Sequence, residues 1–135
     1  DMVIFTGWRR DLPRIYADLD VLVVSSDNEG TPVSAIESMA SGCPVVATRV
    51  GGIPDIIKDG DTGYLVPPGD AEALASRILS LLRAGQDVSR VRASARADAR
   101  DRYGLQRLIS DIQTVYEDRR HEKGLAPHSS TAEDT

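Results

Sequence analysis

The chain has 135 residues, 41% of them apolar, enough for one folded domain with a sizeable core. Twenty-one acidic residues against 16 Lys and Arg give a formal charge of -5, which argues against a nucleic-acid backbone as partner. One Cys excludes an intrachain disulfide and a cysteine-based metal centre.

Taken in chain order, residues 3–6 (VIFT) form a short β-prone run closed by Gly7. Residues 12–17 read as a short helix, with Asp11 as its cap and Pro13 in the first turn. Residues 20–25 (DVLVVS) are continuously apolar at their centre rather than alternating, the pattern of a strand covered on both faces. A helix follows over 33–41, with Val33, Ile36, Met39 and Ala40 on one side, Gly42 ending it and Pro44 unable to continue it. Residues 45–48 (VVAT) are a second buried strand, followed at once by Gly51 and Gly52. One helical turn over 53–58, a turn at 59–62 (DGDT) and a short strand at 63–66 complete the first half.

The second half is helical. Asp70 is placed to cap a helix with the stripe Leu74, Ala75, Ile78, Leu79 and Leu82, which Gly85 closes. An Ala- and Arg-rich helix covers 88–101, and Leu105, Leu108, Ile109, Ile112, Val115 and Tyr116 mark a last helix over 105–118. Residues 1–70 hold 11 acids and 5 bases, residues 71–135 hold 10 and 11, so the arginines of the later helices read as solvated faces. The expected division is a folded part over 1–120 and a tail over 121–135 with few large apolar residues. No apolar run approaches the roughly 20 residues that span a bilayer. The opening DMVIFTGWRRD has no signal-peptide pattern, so the expected place is the cytoplasm.

Alternating strands and helices with apolar strands specify an α/β fold, a Rossmann-like open parallel sheet with flanking helices. Ligands of such sheets bind beyond the carboxyl ends of the strands. Three segments leave those ends: Gly7–Arg10, Asp27–Pro32 and Arg49–Gly52. In the second, Glu29 closes a polar loop and Gly30 permits close approach of a ligand. The helix from Val33 offers free N–H groups to a phosphate. Glu37 lies one turn further on, at the margin of the buried side, where an acceptor-only carboxylate suits sugar hydroxyls or simply faces solvent. The Gly51–Gly52 pair reads as a close-approach turn or an ordinary strand junction. It is neither a P-loop nor a dinucleotide fingerprint. Asp18/Asp20 and Asp59/Asp61 form two D-x-D strings, read as structural. His121 and His128 lack zinc-site spacing, and Cys43 reads as a small buried thiol. Trp8 either stacks on a base or packs on the core. No metal site is expected.

The stretch 25–55 (SSDNEGTPVSAIESMASGCPVVATRVGGIPD) resembles the signature region of the retaining glycosyltransferases of family 4, within the group 1 glycosyl transferases. Glu29 and Glu37 match the family's spacing of two glutamates. Residues 59–70 (DGDTGYLVPPGD), 3–7 and 16–21 are similar to further family segments, and the resemblance covers about residues 3–120. It implies part of the C-terminal domain of a GT-B enzyme, which binds a nucleotide-diphosphate sugar and transfers the sugar to an acceptor. It implies Glu29 as the catalytic carboxylate beside the transferred sugar and Glu37 on the donor ribose. Gly30, Thr31, Pro32 and Val33 would lie along sugar and diphosphate, Gly7 and Arg9 by the base, and Gly51 and Gly52 behind the diphosphate. No tightly bound cofactor is implied, and the donor is a UDP-, GDP- or ADP-sugar.

The sequence departs from the family in one respect. The Arg and Lys that the family brings to the diphosphate from an earlier loop have no counterpart here, and the chain opens at what resembles the third strand of the domain. The expected consequences are an absent N-terminal acceptor domain and no sugar transfer by this chain alone. Any membrane association would run through the absent part, at the cytoplasmic membrane face. An exposed sheet edge is expected too, open to a homodimer. The helix at 105–118 either crosses back to the other domain or packs on this one. Two other readings keep the fold: a related epimerase or phosphorylase, for which His and Lys are badly placed, and a non-catalytic interaction module with solvated glutamates.

Overall fold

The computed structural model describes residues 2–83 and 87–123. They fall into two compact units that divide after Asp101. The first carries α1 (Leu12–Asp18), β1 (Leu22–Val24), α2 (Val33–Ser41), β2 (Val45–Thr48), α3 (Ile53–Ile56), β3 (Tyr64–Val66), α4 (Ala71–Arg83) and all but the last two residues of α5 (Asp87–Tyr103). The second carries α6 (Leu105–Glu122).

The sheet has the order β1-β2-β3 and is parallel throughout, with Leu22 opposite Val45 and Val46 opposite Tyr64. β2 is central, and all four of its residues are buried. Its side chains alternate between two cores, as a pleated strand requires. Val45 and Ala47 pack with Ala35 and Met39 of α2 and with Ile53, Ile56 and Ile57. Val46 packs on the other face with Val66, Leu81 and the partly buried Leu74 and Ile78 of α4. The long α5 contributes Val88 to the second core and Ala95 and Ala99 to the first. The α/β class read from the sequence is therefore the observed one.

Several local expectations are corrected. Val3, Ile4 and Phe5 are exposed and lie outside the sheet, because no strand among the described residues pairs with them. β1 is only half-covered, with Val23 exposed, since among the described residues β2 is its one ladder partner. Asp11 does not cap α1 with its side chain; its carboxylate is held by Arg9 instead. On α2 the buried residues are Ala35, Ser38 and Met39, whereas Val33 and Ala40 face outward. Small Ala35 and Ser38 let the helix lie close on the sheet, and the Ser38 hydroxyl is satisfied by donating to the Cys43 carbonyl at 3.2 Å. On α4 the inward seam runs Leu74, Ile78 and Leu81, packed with Val46 and Val66, whereas Leu79 and Leu82 are exposed.

Other expectations hold. Gly42 ends α2 in the left-handed conformation, its N–H donating to Met39 O and that of Cys43 to Ser38 O, a Schellman closure. Asp70 caps α4 through its carboxylate, which accepts from Ala73 N–H at 2.8 Å.

In the second unit, α6 carries its Leu105, Leu108, Ile109, Ile112, Val115 and Tyr116 stripe exposed. It extends beyond residue 118 to Glu122, with an Arg119–Glu122 pair in its last turn. Gly85 and residues 124–135 of the expected tail lie outside the described residues. No helix among the described residues is long and apolar enough to cross a membrane.

Candidate functional site

The carboxyl ends of β1 and β2 lead into two loops that hold each other. Thr48, the last residue of β2, is buried and donates its hydroxyl to the Ser26 carbonyl at 2.5 Å. The Ser26 hydroxyl donates to Glu29 Oε2 at 3.1 Å. The Glu29 carbonyl accepts from Gly52 N–H at 3.0 Å. Gly51 sits at φ +51, where a Cβ would overlap the Glu29 carbonyl, and a Cβ on Gly52 would overlap the Gly30 carbonyl. The glycine pair is thus a close-approach turn, but what approaches it is the chain's own Glu29–Gly30 backbone. Glu29 is half-buried, and its carboxylate is held by the Ser26 hydroxyl.

α2 starts directly after this loop. Pro32 is buried, and its carbonyl accepts from Ala35 and Ile36 N–H. The N-cap Pro32 has no side-chain acceptor, so among the described residues the N–H groups of Val33 and Ser34 stand open at the N-terminus, the positive end of the helix dipole. Thr31 is exposed, and nothing lies within 4 Å of where a Gly30 Cβ would be. The space above Gly30 is open on the side away from Gly52.

Glu37 lies four residues into α2, about 6 Å along the helix axis from Val33. Its carboxylate is exposed, but Oε2 accepts a hydrogen bond at 3.1 Å from the hydroxyl of Tyr16, which is 6% exposed on α1. Burial, and after it the bond to Glu37, push the Tyr16 phenol above its ordinary value. Tyr16 was not singled out from the sequence; a Tyr on a short helix before an apolar strand reads as core packing, and its partner is 21 residues away.

The structure does not join the first loop to these groups. Gly7 has a left-handed φ of +61 and open surroundings, Trp8 is exposed, and Arg9 is paired with Asp11. The Arg9 guanidinium holds the Asp11 carboxyl below its ordinary value. A hollow of about 160 Å3 does open at the strand ends, lined by Ser25, Asp27, Thr48 and the start of α4 at Gly69–Ala71. Neither Glu29 nor Glu37 lines it.

The D-x-D string at 59–61 has structural work. Asp59 accepts from Leu65 N–H through Oδ1 and from Arg49 through Oδ2, and Asp61 pairs with Arg90. Among the described residues no group of three His, Cys, Asp or Glu is gathered for a metal ion. Cys43 is a buried free thiol, His121 lies on α6, and His128 is outside the described residues.

With this geometry in view, residues 1–84 match the family model described as glycosyl transferases group 1. Over 118 residues the chain is 32% identical to N-acetyl-alpha-D-glucosaminyl L-malate synthase of Bacillus anthracis, covering 87% of this chain and 31% of the relative. The structure of Anabaena HepE in complex with UDP-glucose superposes with a TM-score of 0.78 at 28% identity, over 84% of this chain and 32% of that one. The C-terminal domain of the group 1 glycosyl transferase LpcC of Francisella tularensis superposes at 0.68 and 30% identity, over 76% of this chain and 53% of that domain. The chain spans less than a third of the length of the curated relatives it matches. The parallel, helix-flanked Rossmann-like sheet is that of GT-B proteins.

Proposed function

Because this chain belongs to the group 1 glycosyl transferases, we propose that it forms the donor-binding part of the C-terminal domain of a retaining family 4 glycosyltransferase. One observation carries the reading. Glu29 and Glu37 flank an uncapped α2 N-terminus at the carboxyl ends of parallel strands, so two acceptor carboxylates and free N–H donors share one short segment. A nucleotide-diphosphate sugar needs that combination: acceptors for its hydroxyls and donors for its phosphates.

In this reading the Val33 and Ser34 N–H groups meet the diphosphate, with Gly30 and Thr31 alongside the sugar and Pro32 giving shape without a donor. Glu37 accepts from the ribose hydroxyls. Glu29 stands by the reacting carbon, where a fixed carboxylate stabilises the positive charge of an oxocarbenium-like transition state. Its fixation by Ser26, and that of its backbone by Gly51 and Gly52, are the preorganisation such an effect requires. Gly7 and Arg9 flank the base. A UDP-sugar is the donor we favour, because HepE, whose structure holds UDP-glucose, shares this fold. The acceptor site and the basic groups for the diphosphate belong to the remainder of the full-length enzyme, and so does the strand that joins the open edge of β1. In this chain alone that edge is where a second copy would pair.

The test is a calorimetric titration with UDP, GDP and ADP, repeated with Glu37→Ala. The expected result is tightest binding of UDP and about tenfold or greater weakening by the substitution, the scale of lost charge-assisted hydrogen bonds. Absence of binding by the folded full-length protein would support the interaction-module reading instead. This chain alone is expected to turn over no donor, and steady sugar transfer by it would refute that part.

A further inference from the structure

We propose that Tyr16 is a positioning residue that sets the Glu37 carboxylate for the ribose of the donor. The inference rests on the reading of Glu37 as the ribose-binding group and adds the device that holds it.

Glu37 is the exposed member of the pair of glutamates, and a long side chain on a helix surface samples several rotamers. Its anchor does not. Tyr16 is buried on α1, and α1 packs directly on α2. The 3.1 Å bond therefore ties a mobile carboxylate to a rigid donor. It engages only Oε2. Oε1 has no protein partner among the described residues, and each carboxylate oxygen has two acceptor sites, so capacity remains for both hydroxyls of a vicinal diol. A ligand meeting a carboxylate already in place loses less rotamer freedom on binding. The raised phenol value agrees with the same role, since Tyr16 stays a donor throughout the neutral range.

The test compares UDP with 2′,3′-dideoxy-UDP, which lacks the hydroxyls that Glu37 would hold, on the full-length protein and its Tyr16→Phe, Glu37→Gln and double variants. Tyr16→Phe keeps the ring and removes only the hydroxyl. The expected outcome is about three- to tenfold weaker UDP binding, the scale of one hydrogen bond. Dideoxy-UDP affinity should stay unchanged, and Tyr16→Phe should cause no further loss once Glu37 is Gln. Equal weakening of both nucleotides would mark Tyr16 as a general packing residue and overturn the proposal. So would unchanged UDP binding in Tyr16→Phe while Glu37→Gln weakens it. If Glu37→Gln itself leaves UDP binding intact, the reading of Glu37 fails first and the role of Tyr16 falls with it.

Discussion

Gly51 and the carbonyl of Glu29 occupy space that leaves no room for a side chain between them. The contact has two separable components, because Gly51 also needs a left-handed φ of +51, whereas the neighbouring Gly52 meets the Gly30 carbonyl at an ordinary φ of -82. Gly60 supplies the complementary case: a left-handed φ of +76 in open surroundings. Replacing Gly60 by Ala should cost about 1–2 kcal/mol, the strain of a Cβ in that region. Gly51→Ala should cost about 3 kcal/mol or more, since the loop must also move. Gly52→Ala isolates the overlap and should loosen the Glu29 loop, lowering nucleotide affinity as well as stability. Urea unfolding of the three variants, with UDP titration of the last two, decides the order. Equal losses at Gly51 and Gly60 would mean that the loop yields freely.

Burial of Tyr16, and after it the bond to Glu37, predicts a pH dependence. The folded state holds the phenol above its ordinary value of 10.0, so it retains a proton that the unfolded chain gives up first. The resulting stabilisation is complete below pH 10 and declines as the pH rises from there through the folded value. Tyr16→Phe has no such proton. At pH 7 it should be less stable by about 1 kcal/mol, one hydrogen bond, and the gap should narrow above pH 10. Urea midpoints of both proteins between pH 7 and 11 test this. A gap that stays constant through pH 11 would show that folding does not raise the phenol.

Asp59 and Asp61 look like a metal motif in one dimension and act as a loop staple in three. Asp59 takes the Leu65 N–H in the middle of β3 and the Arg49 guanidinium, so both its oxygens are directed at protein donors. Asp59→Ala should therefore cost about 1–3 kcal/mol by stranding a part-buried N–H. Millimolar Mg2+ or Mn2+ should leave the thermal midpoint of the unmodified chain where it is. A midpoint that climbs with metal concentration would show binding to the folded state and contradict the staple.

What the sequence revealed follows a physical division. β2 was legible because the apolar run Val45–Ala47, closed by Thr48, has one stable use in an α/β sheet, burial on both faces. The Glu29/Glu37 spacing was legible because a loop and the helix after it are contiguous. Asp70 and Asp11 show the boundary of such local signals. Both precede a helix, but only Asp70 caps with its carboxylate, since Arg9 claims that of Asp11. Residues 3–6 have strand character and no partner strand, and a strand is a property of pairs. Tyr16 with Glu37 and Thr48 with Ser26 are contacts 21 and 22 residues apart, which no window along the chain contains. On α2 the expected Met39 is buried and Ile36 packs on the core, but the fit to the sheet also brings in small Ala35 and Ser38 and leaves Val33 and Ala40 outside.

The end of α2, the helix that bears Glu37, is finished by a residue of α5. Arg96 donates from Nη2 to the Ser41 carbonyl at 3.2 Å, placing a cation at the negative end of the helix dipole. The same guanidinium covers Gly42, where a Cβ would overlap it. Arg96→Ala should cost about 0.5–1 kcal/mol, the worth of an exposed charge at a helix end. Gly42→Ala should cost more, because φ +77 adds left-handed strain of about 1–2 kcal/mol to the displaced arginine. The double variant separates the two. With Arg96 already gone, a Cβ at Gly42 displaces nothing, so the combined loss should fall short of the sum by about the value of the Arg96 contact. Chemical unfolding of the four proteins measures that coupling. Strict additivity would mean that the arginine moves aside without loss and that strain alone makes Gly42 necessary.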